Sequence, residues 1–400
     1  MKRLSRNKDI PYKINIFFIS LIRFYLINNN NFIETDNNKL IKKYQLKKIP
    51  KDFIIYYAKK HKLISIFGNN KNISEVFKLI GINLKEYCRE EYYKTFLQLK
   101  ILLKIDNIFK ENHIKYLLIK GIPLSMQTTN SLFKRGNNYD IDIWIEEKDL
   151  EKSVKNLINS GFKISQNNKI FLLKNNIGKY SRFSKNELSM SMQTNNEIIY
   201  IDLHWRGSLI RYPLPNFKTA YESSTEIKLK DHKINTLNNK HTFILLCMHS
   251  AIDNWMCLRD LVDLQRLTQN LKRNELQKLN RSKIVNKSCK ISYWVTKDSC
   301  LENNLQNKSI KKIFIKYSSI NQIIAWRTYG SRNRAFNEKI KLIFFRLSLC
   351  EKPKDLISNF LYFILPPENI LKEANRSNLS LKMIIRNRLT NIFARFNKTF

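Results

Sequence analysis

Glycine and proline are both scarce, with 8 of each in 400 residues. With 43% hydrophobic residues alongside, that excludes a disordered, collagen-like or linker-dominated chain and leaves material for a real core. Cysteine is sparse too: six residues, no pair spaced Cys-x-x-Cys, most in apolar helical surroundings. They read as buried thiols of a reducing compartment, neither a disulfide framework nor a zinc site. No run reaches the roughly 18 apolar residues of a membrane span. The apolar stretch Ile14–Ile22 sits behind several lysines, but Arg23 follows at once without a small-x-small cleavage site. A cytoplasmic protein without integral membrane association is expected.

Acidic residues are the other deficit: 33 Asp and Glu face 72 Lys and Arg, a net charge of +39. Such a balance favours polyanionic company, either nucleic acid, nucleotides or an anionic surface. Only 20 of the 72 cations are arginine, the preferred fork for phosphate, and the abundance of Lys, Asn and Ile is that of an AT-rich coding sequence. Charge alone names no function.

At about 150 residues per domain the length suggests two or three domains. Residues 1–35 form an apolar-basic segment, a helix followed by a loose Asn-rich connection. Residues 36–112 carry helical spacing, as in Phe53, Ile54, Tyr57 and Ala58, and again in Tyr93, Phe96, Leu97, Ile101 and Ile105. The period changes at Ile114–Ile119, a short apolar run ended by Gly121. Pro123 stands at a natural first helical position, with a helix expected on to Phe133. Asp140–Ile145 alternates strictly and predicts a strand. Asp149–Ser160 predicts a helix closed at Gly161. Further strands are expected at Ile170–Lys174, Leu188–Gln193, Ile198–Trp205 and Glu226–Leu229. From 237 to 400 the pattern is again helical, with Asn238 or Asn239 as N-cap and one apolar stripe through Ile244, Met248, Ala251, Trp255, Leu258 and Val262. The expected architecture is an α/β unit at 113–236 between helical regions, without internal repeats.

The chemistry is concentrated in that middle unit. Asp140 and Asp142 project to one face of their strand, about 7 Å apart along the chain, while Ile141 and Ile143 enter the opposite layer. Two carboxylates on one rigid face suit a divalent cation bridging a polyphosphate. Asp202, on the alternating run Tyr200–Trp205, supplies a third if the two strands are neighbours. The turn at Gly121 presents backbone N–H groups at a helix N-terminus, where phosphate is favoured. Together these features describe a site for in-line attack on a nucleotide phosphate.

Lys120-Gly121-x-x-Leu124, Asp140-Ile141-Asp142 and Asp202-Leu203-His204-Trp205 resemble the polymerase-beta-like nucleotidyltransferase superfamily, and within it a bacterial family with the pattern LKG, DID, DLHW. The similarity extends to Tyr57–His61, Ile234–Leu237, His241–His249 and Trp255–Asp263, covering roughly residues 45–370. It implies a mixed sheet flanked by helices in an α/β (α+β) fold. It further implies Mg²⁺ or Mn²⁺ and transfer of a nucleoside monophosphate from an NTP such as ATP. Carried over by position, Asp140 and Asp142 would hold both metals, and Asp202 would hold the catalytic metal and help activate the acceptor hydroxyl. Gly121 and the start of its helix would cradle the β- and γ-phosphates. Ile122 and Pro123 stand where the superfamily usually shows Gly or Ser, leaving Ser125 as a replacement hydroxyl. Arg135 lies one residue further from the Asp-x-Asp strand than the family's arginine.

Other residues keep two readings. His204 shares a face with Asp202, and either orients substrate or metal or is a hydrogen-bonded structural histidine. Trp205 is either core or a stacking platform. Lys120 either reaches phosphate or is solvated, and Arg259 is the best cation for the triphosphate in its segment. His249, Asp253 and Asp260 fall on one stripe if the helix is unbroken near residue 254. Leu381–Phe396 reads as a basic amphipathic helix, either docked on the core or contacting membrane or RNA. The acceptor is unspecified: protein, RNA, sugar or small molecule. Two alternatives remain, a non-catalytic nucleotide- or RNA-binding module and an Asp-x-Asp glycosyltransferase. The latter would need a longer α/β domain before the motif than the helical residues 36–112 provide.

Overall fold

A computed structural model describes residues 9–27, 37–136, 140–164, 166–172, 174, 176–194, 197–253, 255, 257–296 and 344–364. Most of the C-terminal stretch, including the basic helix expected at Leu381–Phe396, lies outside the described residues. The chain divides into two compact units built from interleaved segments. One comprises Met1–Leu97, Lys120–Asn138 and Thr242–Lys339; the other comprises Gln98–Ile119, Tyr139–His241 and Ile340–Phe400. No helix among the described residues is long and apolar enough to cross a membrane.

The first unit is helical. It holds α1 (Asp9–Ile27), α2 (Asn37–Lys43), α3 (Lys51–Lys60), α4 (Ile64–Gly68), α5 (Lys71–Leu79) and the beginning of α6 (Leu84–Glu111). Its core is an aromatic cluster: Phe17 lies 5.8 Å from Phe18 and 6.1 Å from Phe77, and Phe67 lies 5.5 Å from Phe18 and 5.7 Å from Phe77. All four are fully buried, which for phenylalanine is a large apolar contribution. The apolar character of Ile14–Ile22 therefore serves a core.

The second unit contains the end of α6 and a seven-stranded mixed sheet. Its strands are β1 (Tyr116–Ile119), β2 (Asp140–Ile145), β3 (Lys163–Ile164), β4 (Glu187–Gln193), β5 (Ile198–His204), β6 (Thr225–Leu229) and β7 (His232–Thr236). Their order is β3-β4-β5-β2-β1-β7-β6. The central pair β2–β5 is parallel, with antiparallel neighbours β1 on β2 and β4 on β5. β7 joins β1 in parallel, and the Thr236 hydroxyl donates to the Leu118 carbonyl at 2.7 Å. Buried Ile141, Ile143, Ile199, Ile201 and Leu203 form the inward face that the alternation predicted.

Between β1 and β2, in the first unit, α7 (Gly121–Thr129) starts two residues before Pro123. Proline thus occupies the first turn, where a backbone N–H is not needed. The helix stops at Asn130, whose φ of 49° is left-handed, short of the expected Phe133. In the second unit, α8 (Leu150–Asn159) ends as expected before Gly161 at φ 93°. The expected strand at 170–174 is corrected: Gln166–Leu172 is a 3-10 segment, and β4 is edged by the two-residue β3 instead. α9 (Asn176–Ser184) and α10 (Phe217–Glu222) complete the helices of this stretch.

α11 (Asn239–Ile252) begins where Asn238 accepts the His241 N–H at 2.9 Å, the expected cap. The stripe from Ile244 to Val262 is not one helix. α11 stops at Ile252, Trp255 takes a φ of 50°, and α12 (Leu258–Gln269) starts afresh. α13 (Arg273–Leu279) and α14 (Lys283–Thr296) follow, and Pro353–Ile364 is a helix of the second unit.

Candidate active site

The parallel pairing of β2 with β5 decides the site. Its register sets Asp142 beside Asp202 and Asp140 beside Tyr200. Residues paired across a sheet share a face, so the condition left open by the sequence is met. Carboxylate oxygens of Asp140, Asp142 and Asp202 all lie within 4.8 Å of one another. Asp142 is only 3% exposed, whereas Asp140 and Asp202 are half-buried. From the second unit's part of α6, the Gln98 amide reaches the Asp140 carbonyl at 3.4 Å and so helps fix the start of β2.

Three converging carboxylates repel one another unless something compensates. The consequence shows at Asp202, whose pKa is pushed up to about 6. Burial is the main cause; a hydrogen bond from Ser189 opposes it, and the charges of Glu187 and Asp142 add to it. The Ser189 hydroxyl donates to Asp202 Oδ1 at 2.5 Å. Three hard oxygen donors converging on one strand face are what a small divalent cation takes, and the residues present fit Mg²⁺ or Mn²⁺.

His204 is fully buried on the same face, two residues beyond Asp202. Its Nε2 meets Asp142 Oδ1 at 2.9 Å, and its Nδ1 meets Glu187 Oε2 at 3.1 Å. The histidine is therefore both hydrogen-bonded within the fold and in contact with a carboxylate of the cluster. Trp205 takes its core reading: it is 3% exposed, donates from Nε1 to the Arg182 carbonyl at 3.0 Å, and packs on Phe171 at 5.3 Å.

The remaining sequence candidates belong to the first unit. Lys120 joins β1 to α7 with φ 56° and ψ −134°, a backbone state that side chains with a Cβ rarely adopt. Gly121 is the first residue of the helix. Ser125 is buried, and its hydroxyl donates to the Ser131 carbonyl at 2.6 Å. Arg135 is 2% exposed and donates from Nε to Asp263 Oδ2 at 2.7 Å. Burial lowers its pKa, and neighbouring Arg259 lowers it further. Arg259 is itself buried, with Nε 3.8 Å from Asp260. Asp260 stays below the usual carboxylate range despite its burial, because Arg259, His249, Lys62 and Arg135 are close. His249 on α11 lies 3.7 Å from Asp253, just past the end of that helix, but Asp260 lies on α12, so the stripe proposed for the three is broken.

Sequence reading missed Ser189 and Glu187. Both stand on the polar edge of β4, and the antiparallel register Ser189 with Asp202 and Glu187 with His204 brings them in. The signal was present as alternation in Glu187–Met192, but its pairing with β5 was not. Tyr200, 51% exposed beside Asp140 on the same face, was likewise not singled out.

Among solved structures, the chain is similar to the lincosamide antibiotic adenylyltransferase LnuA with lincomycin bound. The identity is 19% and the TM-score 0.28, over 43% of this chain and 97% of that one. No curated protein matches. The family comparison is more extensive, since the model of one family matches residues 47–295, from just before α3 through the whole sheet and into α14. The chain belongs to that family, the uncharacterised nucleotidyltransferases.

Proposed function

We propose that this nucleotidyltransferase uses Mg²⁺ or Mn²⁺ to transfer a nucleoside monophosphate from an NTP, such as ATP, to a hydroxyl acceptor. The observation that carries the reading is the convergence of Asp140, Asp142 and Asp202 on one strand face. These three carboxylates would hold the metal. When bound, a divalent cation would supply charge stabilisation of the phosphates and acidify an acceptor hydroxyl.

The chain's own residues do the positioning. β2 and β5 are parallel and hydrogen-bonded through the whole of the motif, so the two aspartates in register cannot drift apart without breaking the sheet. Ser189 keeps one oxygen of Asp202 occupied. By the resemblance, Asp202 would also help activate the acceptor hydroxyl. Lys120 and Gly121 follow β1 directly in the chain, and β1 ends at Ile119 opposite Asp142. The turn at Lys120 and Gly121 keeps the phosphate-contacting role that the resemblance implies, with Ser125, Arg135 and Arg259 as further candidates from the sequence.

The test is incubation with each α-labelled NTP and Mg²⁺ or Mn²⁺, with and without cell lysate, following label and pyrophosphate. Metal-dependent transfer lost in Asp140→Asn/Asp142→Asn supports the reading. Full transfer by that variant refutes it. Salt-sensitive RNA binding without any metal-dependent product would favour the binding module instead.

A further inference from the structure

We propose that Glu187 and His204 form a tether that orients the Asp142 carboxylate for metal binding, which makes both of them positioning residues. The proposal rests on the metal-site reading above and assigns the residues that prepare that site. Three strands supply the parts: Asp142 from β2, His204 from β5 and Glu187 from β4. The imidazole lies between two carboxylates, with Nε2 2.9 Å from Asp142 Oδ1 and Nδ1 3.1 Å from Glu187 Oε2. Asn186 Nδ2 also lies 3.3 Å from Nδ1.

A purely structural histidine in a core needs one or two neutral partners, and the backbone offers many. Here both ring nitrogens face acids, one of them in the metal-ligand cluster. Carboxylate rotation about its terminal torsion is soft, so the hydrogen bonds made to it decide which orientation Asp142 holds. A hydrogen bond to Oδ1 restricts that rotation, and a partner on the far side of the ring restricts the ring itself. His204 is fully buried, whereas the Glu187 side chain is 42% exposed. Glu187 can therefore be changed at its carboxylate with little disturbance to the core. Outer partners of this kind typically alter metal affinity about 10–100-fold.

The test is Mn²⁺ binding to the full chain, read by electron paramagnetic resonance of free Mn²⁺, with thermal unfolding measured in parallel in EDTA. Glu187→Gln should raise the Mn²⁺ Kd about 10–100-fold while leaving the EDTA unfolding midpoint unchanged. Glutamine at position 204 places an amide nitrogen where Nε2 stands and nothing where Nδ1 stands. His204→Gln should therefore keep the bond to Asp142 and match the Glu187→Gln loss, and the double variant should lose no more than either single one. Asparagine cannot reach Asp142, so His204→Asn should lose more.

A Glu187→Gln protein that binds Mn²⁺ as tightly as wild type overturns the tether and leaves the metal site standing. So does one whose Kd shift is matched by a lowered unfolding midpoint. Wild-type protein that binds no Mn²⁺ overturns the metal-site reading and the tether with it.

Discussion

Removing Asp263 should strongly destabilise the helical unit. Its Oδ2 accepts from Arg135 at 2.7 Å, and its Oδ1 lies 3.8 Å from Arg266. Arg135 and Asp263 are 2% and 0% exposed. In Asp263→Ala the guanidinium stays buried beside Arg259, a like charge, without its closest anion. Breaking a buried pair from one side costs about 3–5 kcal/mol, because the remaining charge loses its closest counter-charge without regaining water. For a unit of this size that is a fall of about 6–20 °C in midpoint, at 2–4 °C per kcal/mol. Arg135→Met should cost a similar amount. The double variant Arg135→Met/Asp263→Leu replaces two buried charges by apolar groups and should recover most of the loss. Differential scanning calorimetry on the full chain, with all four proteins at one pH, reads the cycle. If the single variants lose less than about 1 kcal/mol, or the double loses the sum of both, the pair is not a buried ion pair in the sense argued. The same double variant should bind NTP as wild type does if the role of Arg135 is to hold α12. Lost NTP binding by a well-folded double variant would support the sequence reading of Arg135 as a nucleotide contact.

Two further predictions concern the sheet unit. Burial would raise the pKa of Asp106, but hydrogen bonds from His232, Lys110 and Tyr116 outweigh it and hold the carboxyl below its ordinary value of 3.8. Its contribution is therefore complete above that value and lost as the pH falls through the lower folded-state value. Asp106→Asn should cost about 1–3 kcal/mol at neutral pH. The difference should shrink below about pH 4 in unfolding midpoints measured from pH 3 to 7, and a difference independent of pH would contradict the assignment. Gly207 lies against Trp144: a methyl group there would meet Leu214 Cδ2 at 2.5 Å and the Trp144 ring at 3.2 and 3.3 Å. Gly207→Ala should destabilise by about 1–3 kcal/mol in urea unfolding, and an unchanged midpoint would show that Leu214 moves aside freely.

How much of this was legible in the sequence depends on whether the information was local. Asp140–Ile145 and Ile198–His204 were readable because each alternates by itself, with acids on one face and isoleucine or leucine on the other. Their adjacency was not readable, since it depends on strand order. Ser189 and Glu187 entered the site only through the β4–β5 register, and Asp142 met His204 only through the β2–β5 pairing. β7 escaped because His232–Thr236 carries only Ile234 and Thr236 as buried residues, behind a turn at Lys230 with φ 53°. The apolar run at 170–174 suggested a strand, but an edge strand needs a free neighbour, and β3 had taken that side of β4. The broken stripe at Trp255 follows from a left-handed backbone at a residue type that gives no warning of one. Arg135 pairs with a residue 128 positions away, a distance no spacing rule reaches.

The central claim is that Asp140, Asp142 and Asp202 together hold the divalent cation used in nucleotidyl transfer. The most direct test is a crystal structure with Mn²⁺ and a non-hydrolysable ATP analogue, with anomalous data collected at the manganese edge. The account predicts an anomalous peak ligated by oxygens of all three aspartates, with oxygens of the analogue's phosphates on the same ion. Bound analogue with no manganese at the three carboxylates, or manganese held elsewhere, would contradict it.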